Sequence, residues 1–88
     1  MLWTIRLSPE AEKQLSRLPR DRQQTIANSI DRMRNDPFQG NVKPLRGKQW
    51  EGQYRKVLGR YRLIFVPFYS ERIIEISQIL LRTEKTYR

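Results

Sequence analysis

The sequence predicts an α+β domain: an antiparallel sheet of about four strands with an N-terminal helical hairpin packed on one face. Three observations carry that reading. Apolar residues alternate at the start of the chain, as in a strand with one buried face. They then recur at helical spacing in two stretches separated by Pro19. From Trp50 onward short apolar runs return, broken at Gly59 and again at Pro67. The order β-α-α-β-β-β places helices beside a sheet in α+β fashion, and 88 residues are enough for one domain spanning 1–88.

In Leu2–Leu7 the residues Trp3, Ile5 and Leu7 share one face while Leu2, Thr4 and Arg6 share the other, which is a half-buried strand. Ser8-Pro9-Glu10 opens a helix. Ser8 caps, Pro9 fits the first helical position where its missing N–H is harmless, and Glu10 and Glu12 sit at the positive end of the helix dipole. Ala11, Leu15 and Leu18 form its apolar stripe, and Pro19 ends it. Asp21 opens a second helix whose stripe is Ile26, Ala27, Ile30 and Met33, closed by Asp36-Pro37. Residues 37–49 hold two Pro and two Gly and read as a loop. Trp50–Phe68 reads as two strands folded about Gly59. Within it Leu63–Val66 is continuously apolar, as suits a strand buried on both faces. A turn around Tyr69-Ser70-Glu71 leads to a last strand, Arg72–Ile79, and residues 80–88 close the chain as a polar tail.

Charge narrows the function. Lys and Arg number 18 against 9 Asp and Glu, a net +9, which favours nucleic acid or an acidic protein as partner. The excess is concentrated: between Lys43 and Phe65, Lys43, Arg46, Lys48, Arg55, Lys56, Arg60 and Arg62 face Glu51 alone. Cations gathered beside a buried strand repel one another and lose solvation, so a phosphate-bearing partner gives them a reason to be there. The outward cations of the helices, Lys13, Arg17, Arg20, Arg22, Arg32 and Arg34, read first as a solvated face. Cys is absent, which excludes a disulfide framework and fits a reducing compartment. His is absent too, so a His base and a His-ligated metal are both excluded. No apolar run approaches the roughly 20 residues of a membrane span, and no signal peptide is visible. The expected location is the cytoplasm.

What remains is Arg, Lys and Tyr. Arg presents a planar fork of donors matched to phosphate oxygens and keeps its charge. A lysine among other cations is deprotonated more easily, and can move a proton near neutrality, as can an ionised tyrosine. Cleavage of RNA by its own 2′-OH needs no more than a base, a source of positive charge and an acid.

These residues carry a resemblance. G-R-Y-R-L-I-F (59–65) resembles the Gly-x-Tyr-Arg-apolar run of the RelE/ParE family of bacterial toxins. Y-R-K-V-L (54–58) is similar to the basic strand before it, and R-T-E-K-T-Y-R (82–88) to the family's Arg…Tyr-Arg ending. The resemblance extends over the whole chain. It implies a toxin of a type II toxin–antitoxin system, held in a hetero-oligomer by a cognate antitoxin encoded beside it. RelE-like members are ribosome-dependent endoribonucleases that cut mRNA in the decoding site and leave a 2′,3′-cyclic phosphate. ParE-like members share the fold and inhibit DNA gyrase without being enzymes. The first reading leads here, with ribosome and mRNA as partners, no cofactor, no metal and no membrane; gyrase inhibition is the alternative.

On that resemblance Arg62 contacts the scissile phosphate. Arg55 and Lys56 match the basic strand, and Val57 stands where the family usually has its second cation, so the base is open between Arg55, Lys56 and neither. Arg82 is similar to the strand-end Arg that stabilises transition-state charge, against the plain alternative of a cation extending past an apolar strand end. Tyr87 is similar to the near-terminal Tyr that stacks on a base or joins acid–base chemistry, against that of a terminal aromatic. Lys43, Arg46 and Lys48 fit a loop that meets RNA, and equally a solubilising surface. Arg60, at the turn, joins them as an RNA-binding candidate. Trp3, Trp50, Tyr54 and Phe65 are assigned to the core.

Overall fold

The structure, a computed structural model, describes residues 2–81. Strand β1 (Thr4–Leu7) leads into helices α1 (Pro9–Ser16) and α2 (Arg20–Met33). There follow β2 (Val42–Pro44), a 3-10 turn at Lys48–Trp50, β3 (Tyr54–Leu58), β4 (Tyr61–Phe68) and β5 (Ile73–Leu81). The strands form one sheet in the order β1-β5-β4-β3-β2. β1 runs parallel to β5, whereas the other neighbours are antiparallel. The sheet is therefore mixed and has five strands rather than about four. The added strand lies inside the stretch read as a loop, where Val42, Lys43 and Pro44 pair with Lys56, Arg55 and Tyr54. Pro44 is tolerated because β2 is an edge strand. β5 also runs further than expected, taking in Leu80 and Leu81.

The helix boundaries follow from local chemistry. The Ala11 N–H donates to Ser8 Oγ at 3.1 Å, and the same hydroxyl donates to the Ser77 carbonyl at 2.9 Å. One side chain thus caps α1 and ties it to β5. Further along, the Ile79 N–H donates to Gln14 Oε1 at 2.6 Å, a second tie between these elements. Pro19 separates the helices, and Gln23 Nε2 donates to the Leu18 carbonyl at 2.8 Å, closing the link. On α2 the inward residues are Ile26, Ser29 and Met33. Ala27, expected in the stripe, is exposed, because Ser29 fills the inward position one turn before Met33.

One face of the sheet buries Trp3, Leu63, Phe65, Ile74, Ile76 and Ile79 against Ala11, Ile26 and Met33 of the helices. Truncating a fully buried ring such as Phe65 costs about 3–5 kcal/mol. Along β5 the inward residues step by two from Ile74 to Ile76 and by three to Ile79. A bulge accounts for this: Phe65 pairs with Ile76 and Ile64 with Gln78, so Ser77 is the extra residue that resets the alternation. At the β3–β4 turn Gly59 adopts φ 57°, the left-handed conformation that a two-residue hairpin loop requires and that glycine enters without strain.

Candidate nucleic-acid interface on the open face of the sheet

Directly paired residues of a sheet share a face, so the register sorts the cations. Lys43 pairs with Arg55, Arg55 with Ile64, and Ile64 with Gln78, forming one row across four strands. Val57, Arg62 and Leu80 form the next row. Both rows lie on the face turned away from the helices, since Leu63 and Phe65, which flank Ile64, point into the core. Arg55 and Arg62 are diagonal neighbours on this face, a placement in which side chains stand about 7–8 Å apart. Two guanidinium forks at that spacing can take opposite sides of one phosphate group. Arg62 is half-buried with its Nε shielded from solvent, and Ile64 between the rows is only 6% exposed. The face is basic at β2, β3 and the start of β4. It becomes apolar toward Val66, Phe68 and Ile73, and Arg6 there is engaged by Glu75 at 2.8 Å.

Lys56 leaves this set. It pairs with Leu63 and so points into the helix side, where it is 8% exposed and its Nζ donates to the Gln39 carbonyl at 2.6 Å. It lines a cleft of about 250 Å³ with Ser29, Arg32, Met33, Asp36, Gln39, Gly40 and Leu58. Burial pushes its pKa below the ordinary 10.5; the Asp36 carboxylate opposes that shift and Arg32 adds to it. Expected beside Arg55 and Arg62, Lys56 is instead on the opposite face, because alternation along β3 groups it with Tyr54 and Leu58. Val57, which does reach the open face, carries no charge.

The remaining cations divide. Arg46 follows β2 and Lys48 opens the 3-10 turn, both exposed. Arg60 lines a second cleft, of about 270 Å³, with Arg22, Thr25, Ile26, Leu58 and Tyr61, which places it on the helix side of the hairpin, away from the Arg62 face. Arg82 and Tyr87 lie outside the described residues. Trp50, assigned to the core from sequence, is 38% exposed. The available signal was its setting, between Gly47-Lys48 and Gly52 and away from any apolar alternation. Among the described residues, no helix is long and apolar enough to cross a membrane.

Residues 5–86 match the family described as the ParE toxin of the type II toxin-antitoxin system parDE. The chain belongs to this family. It is a type II toxin of the RelE/ParE kind. Comparison with curated proteins gives no match. Among solved structures, the toxin fold resembles the RelBE2 toxin–antitoxin complex of Mycobacterium tuberculosis at 22% identity and TM-score 0.84, over 93% of this chain and 100% of that one. The archaeal RelE–RelB complex of Pyrococcus horikoshii gives 22% identity and TM-score 0.80, over 96% and 99%. A YoeB/ParE toxin from Agrobacterium tumefaciens gives 16% and 0.74, over 91% and 99%. At such identities the likeness is one of fold: the two helices and mixed sheet are those of RelE/ParE toxins.

Proposed function

We propose that this toxin is a ribosome-dependent endoribonuclease that cuts mRNA on the open face of its sheet and is silenced by a cognate antitoxin. The observation that carries the reading is the convergence of Lys43, Arg55 and Arg62 on one sheet face. Three cations on a rigid sheet present fixed donors to a phosphodiester, with no reorganisation needed as charge develops. In the proposed reaction the 2′ oxygen bonds to phosphorus and the bond to the 5′ oxygen breaks. The 2′ proton goes to a base, and an acid returns a proton to the leaving 5′ oxygen. Arg62 and Arg55 hold the non-bridging oxygens, while Lys43 draws the neighbouring phosphate across β2. Arg82 and Tyr87 are proposed, from the family resemblance, to add transition-state charge and to transfer protons. Lys56 takes no part, since its amine is on the other face. The dependence on the ribosome is proposed from the resemblance to RelE-like members. The antitoxin partner is supported by the fold's likeness to toxins solved as complexes with RelB.

Cell-free translation followed by primer extension on the message tests the proposal. The expected result is new 5′ ends that appear only while ribosomes are translating. A second reading, gyrase inhibition, is favoured by the ParE description of the matching family and by Val57 at the position of a second cation. Intact message together with trapped gyrase–DNA complexes would replace the first reading with the second.

A further inference from the structure

Trp50 stands on a short loop between β2 and β3 and is not part of the core. The chain has two Trp. Trp3 is 6% exposed, stacked edge-on against Phe38 and Tyr69 and covered by Arg72 at 4.5 Å. Trp50 is 38% exposed and lies outside the core cluster and the residues packed against it. The loop that carries it is nonetheless well tied. The Leu45 N–H donates to the Gln53 carbonyl at 2.9 Å, the Gln53 N–H to the Trp50 carbonyl at 2.9 Å, and the Trp50 N–H to the Gly47 carbonyl at 3.0 Å. Gly47, at φ 101°, lets the chain turn there. A β-carbon on it would lie 3.6 Å from Trp50 Cδ1, so the indole rests against bare backbone. Arg46 and Lys48, both exposed, precede Trp50 on the same loop, exposed Glu51 follows it, and Lys43 of the basic sheet face lies two positions before Leu45.

We propose that Trp50 is a base-stacking platform for single-stranded RNA, with Arg46 and Lys48 holding the phosphates on either side of the stacked nucleotide. This rests on the RNA reading above, and deepens it by adding a site outside the Arg55/Arg62 face. The charge of the loop selects the occupant. A bare apolar ring would suit a protein partner equally well, but an exposed ring on a loop that also presents Arg46 and Lys48 fits a ligand that alternates bases with phosphates, and stacking tolerates any base.

Tryptophan fluorescence tests this, with oligoadenylate of about eight nucleotides as probe, within the range of one single-strand site. Oligoadenylate should quench the wild-type emission saturably. Trp50→Ala should weaken binding roughly 5- to 150-fold, the range for loss of one base stack. Trp50→Phe should retain most of the affinity while losing the quench, leaving only the emission of Trp3. The melting temperature of both variants should stay near wild type, because Trp50 is outside the core. Oligoadenylate binding unchanged by Trp50→Ala, or quenching by an acidic protein partner and none by RNA, would overturn the proposal. Quenching that persists while ribosomes leave the message uncut would sink the nuclease reading and leave the stacking site standing. Message cutting with no quench would do the reverse.

Discussion

Replacing Lys56 with methionine should leave toxicity per folded molecule intact while shifting stability and its pH dependence. The amine is held on the helix side by one short hydrogen bond to the Gln39 carbonyl and is almost wholly removed from water. A hydrogen bond to a charged group contributes about 1.5–3 kcal/mol, and desolvation of the ammonium works against it. Methionine keeps the buried stem and abolishes the desolvation penalty, and Gln39 is an exposed residue whose carbonyl can turn to water. The net cost should therefore be small, about 1 kcal/mol, or a fall of about 4–8 °C in melting temperature for a domain of this size. Burial lowers the Lys56 pKa from 10.5, so the folded chain gives up this proton before the unfolded chain does. Below the folded pKa both states are charged and the burial penalty is present in full. As pH rises from there toward 10.5 the unfolded state binds more protons, and the penalty is relieved. Wild type should accordingly gain stability relative to Lys56→Met as pH rises through that window, measured by paired urea melts. Growth arrest at matched expression completes the test. Loss of toxicity by tenfold or more, with the protein still folded, would mean that Lys56 reaches the substrate and that its face has been misjudged.

The other expectations are briefer. Arg62→Ala should fold normally and lose about 10²–10³ in cleavage rate, the cost of one preorganised donor to developing charge, read by primer extension in translating extract. Ser8→Ala should cost about 1–3 kcal/mol, because it removes both the helix cap and the hydroxyl bond to Ser77, and a thermal melt checks it. Phe65→Ala should cost about 3–5 kcal/mol, a large share of the roughly 5–15 kcal/mol available to a domain, and should show as a much reduced urea midpoint. Association with the antitoxin should slow steeply as salt rises, since a +9 chain steers an acidic partner; stopped-flow mixing at low and high ionic strength measures it.

How much of this was readable in advance depended on whether the deciding interaction was local. Ser8-Pro9-Glu10 announces α1 because cap, first-turn proline and dipole all act within one turn, and Gly59 announces the hairpin because only the turn needs its φ. The pairing of β1 with β5 spans about seventy residues and leaves no local trace. β2 is three residues ending in proline, a strand only because β3 supplies its partners. The placement of Lys56 is the instructive case. Charge groups Arg55, Lys56 and Arg62 together, and charge says nothing about which way a strand residue faces. Alternation does: Tyr54 and Leu58 are apolar and flank Lys56 at two positions on either side, so the lysine had to share their inward face. The four-residue apolar run that follows hid this, because a strand buried on both faces shows no parity of its own. The bulge was visible by the same logic, in the step from two to three between Ile74, Ile76 and Ile79. Face before charge therefore places Arg55 and Arg62 on the open side of the sheet and Lys56 on the helix side, so the nuclease proposed above rests on the open sheet face rather than on the number of cations along the hairpin.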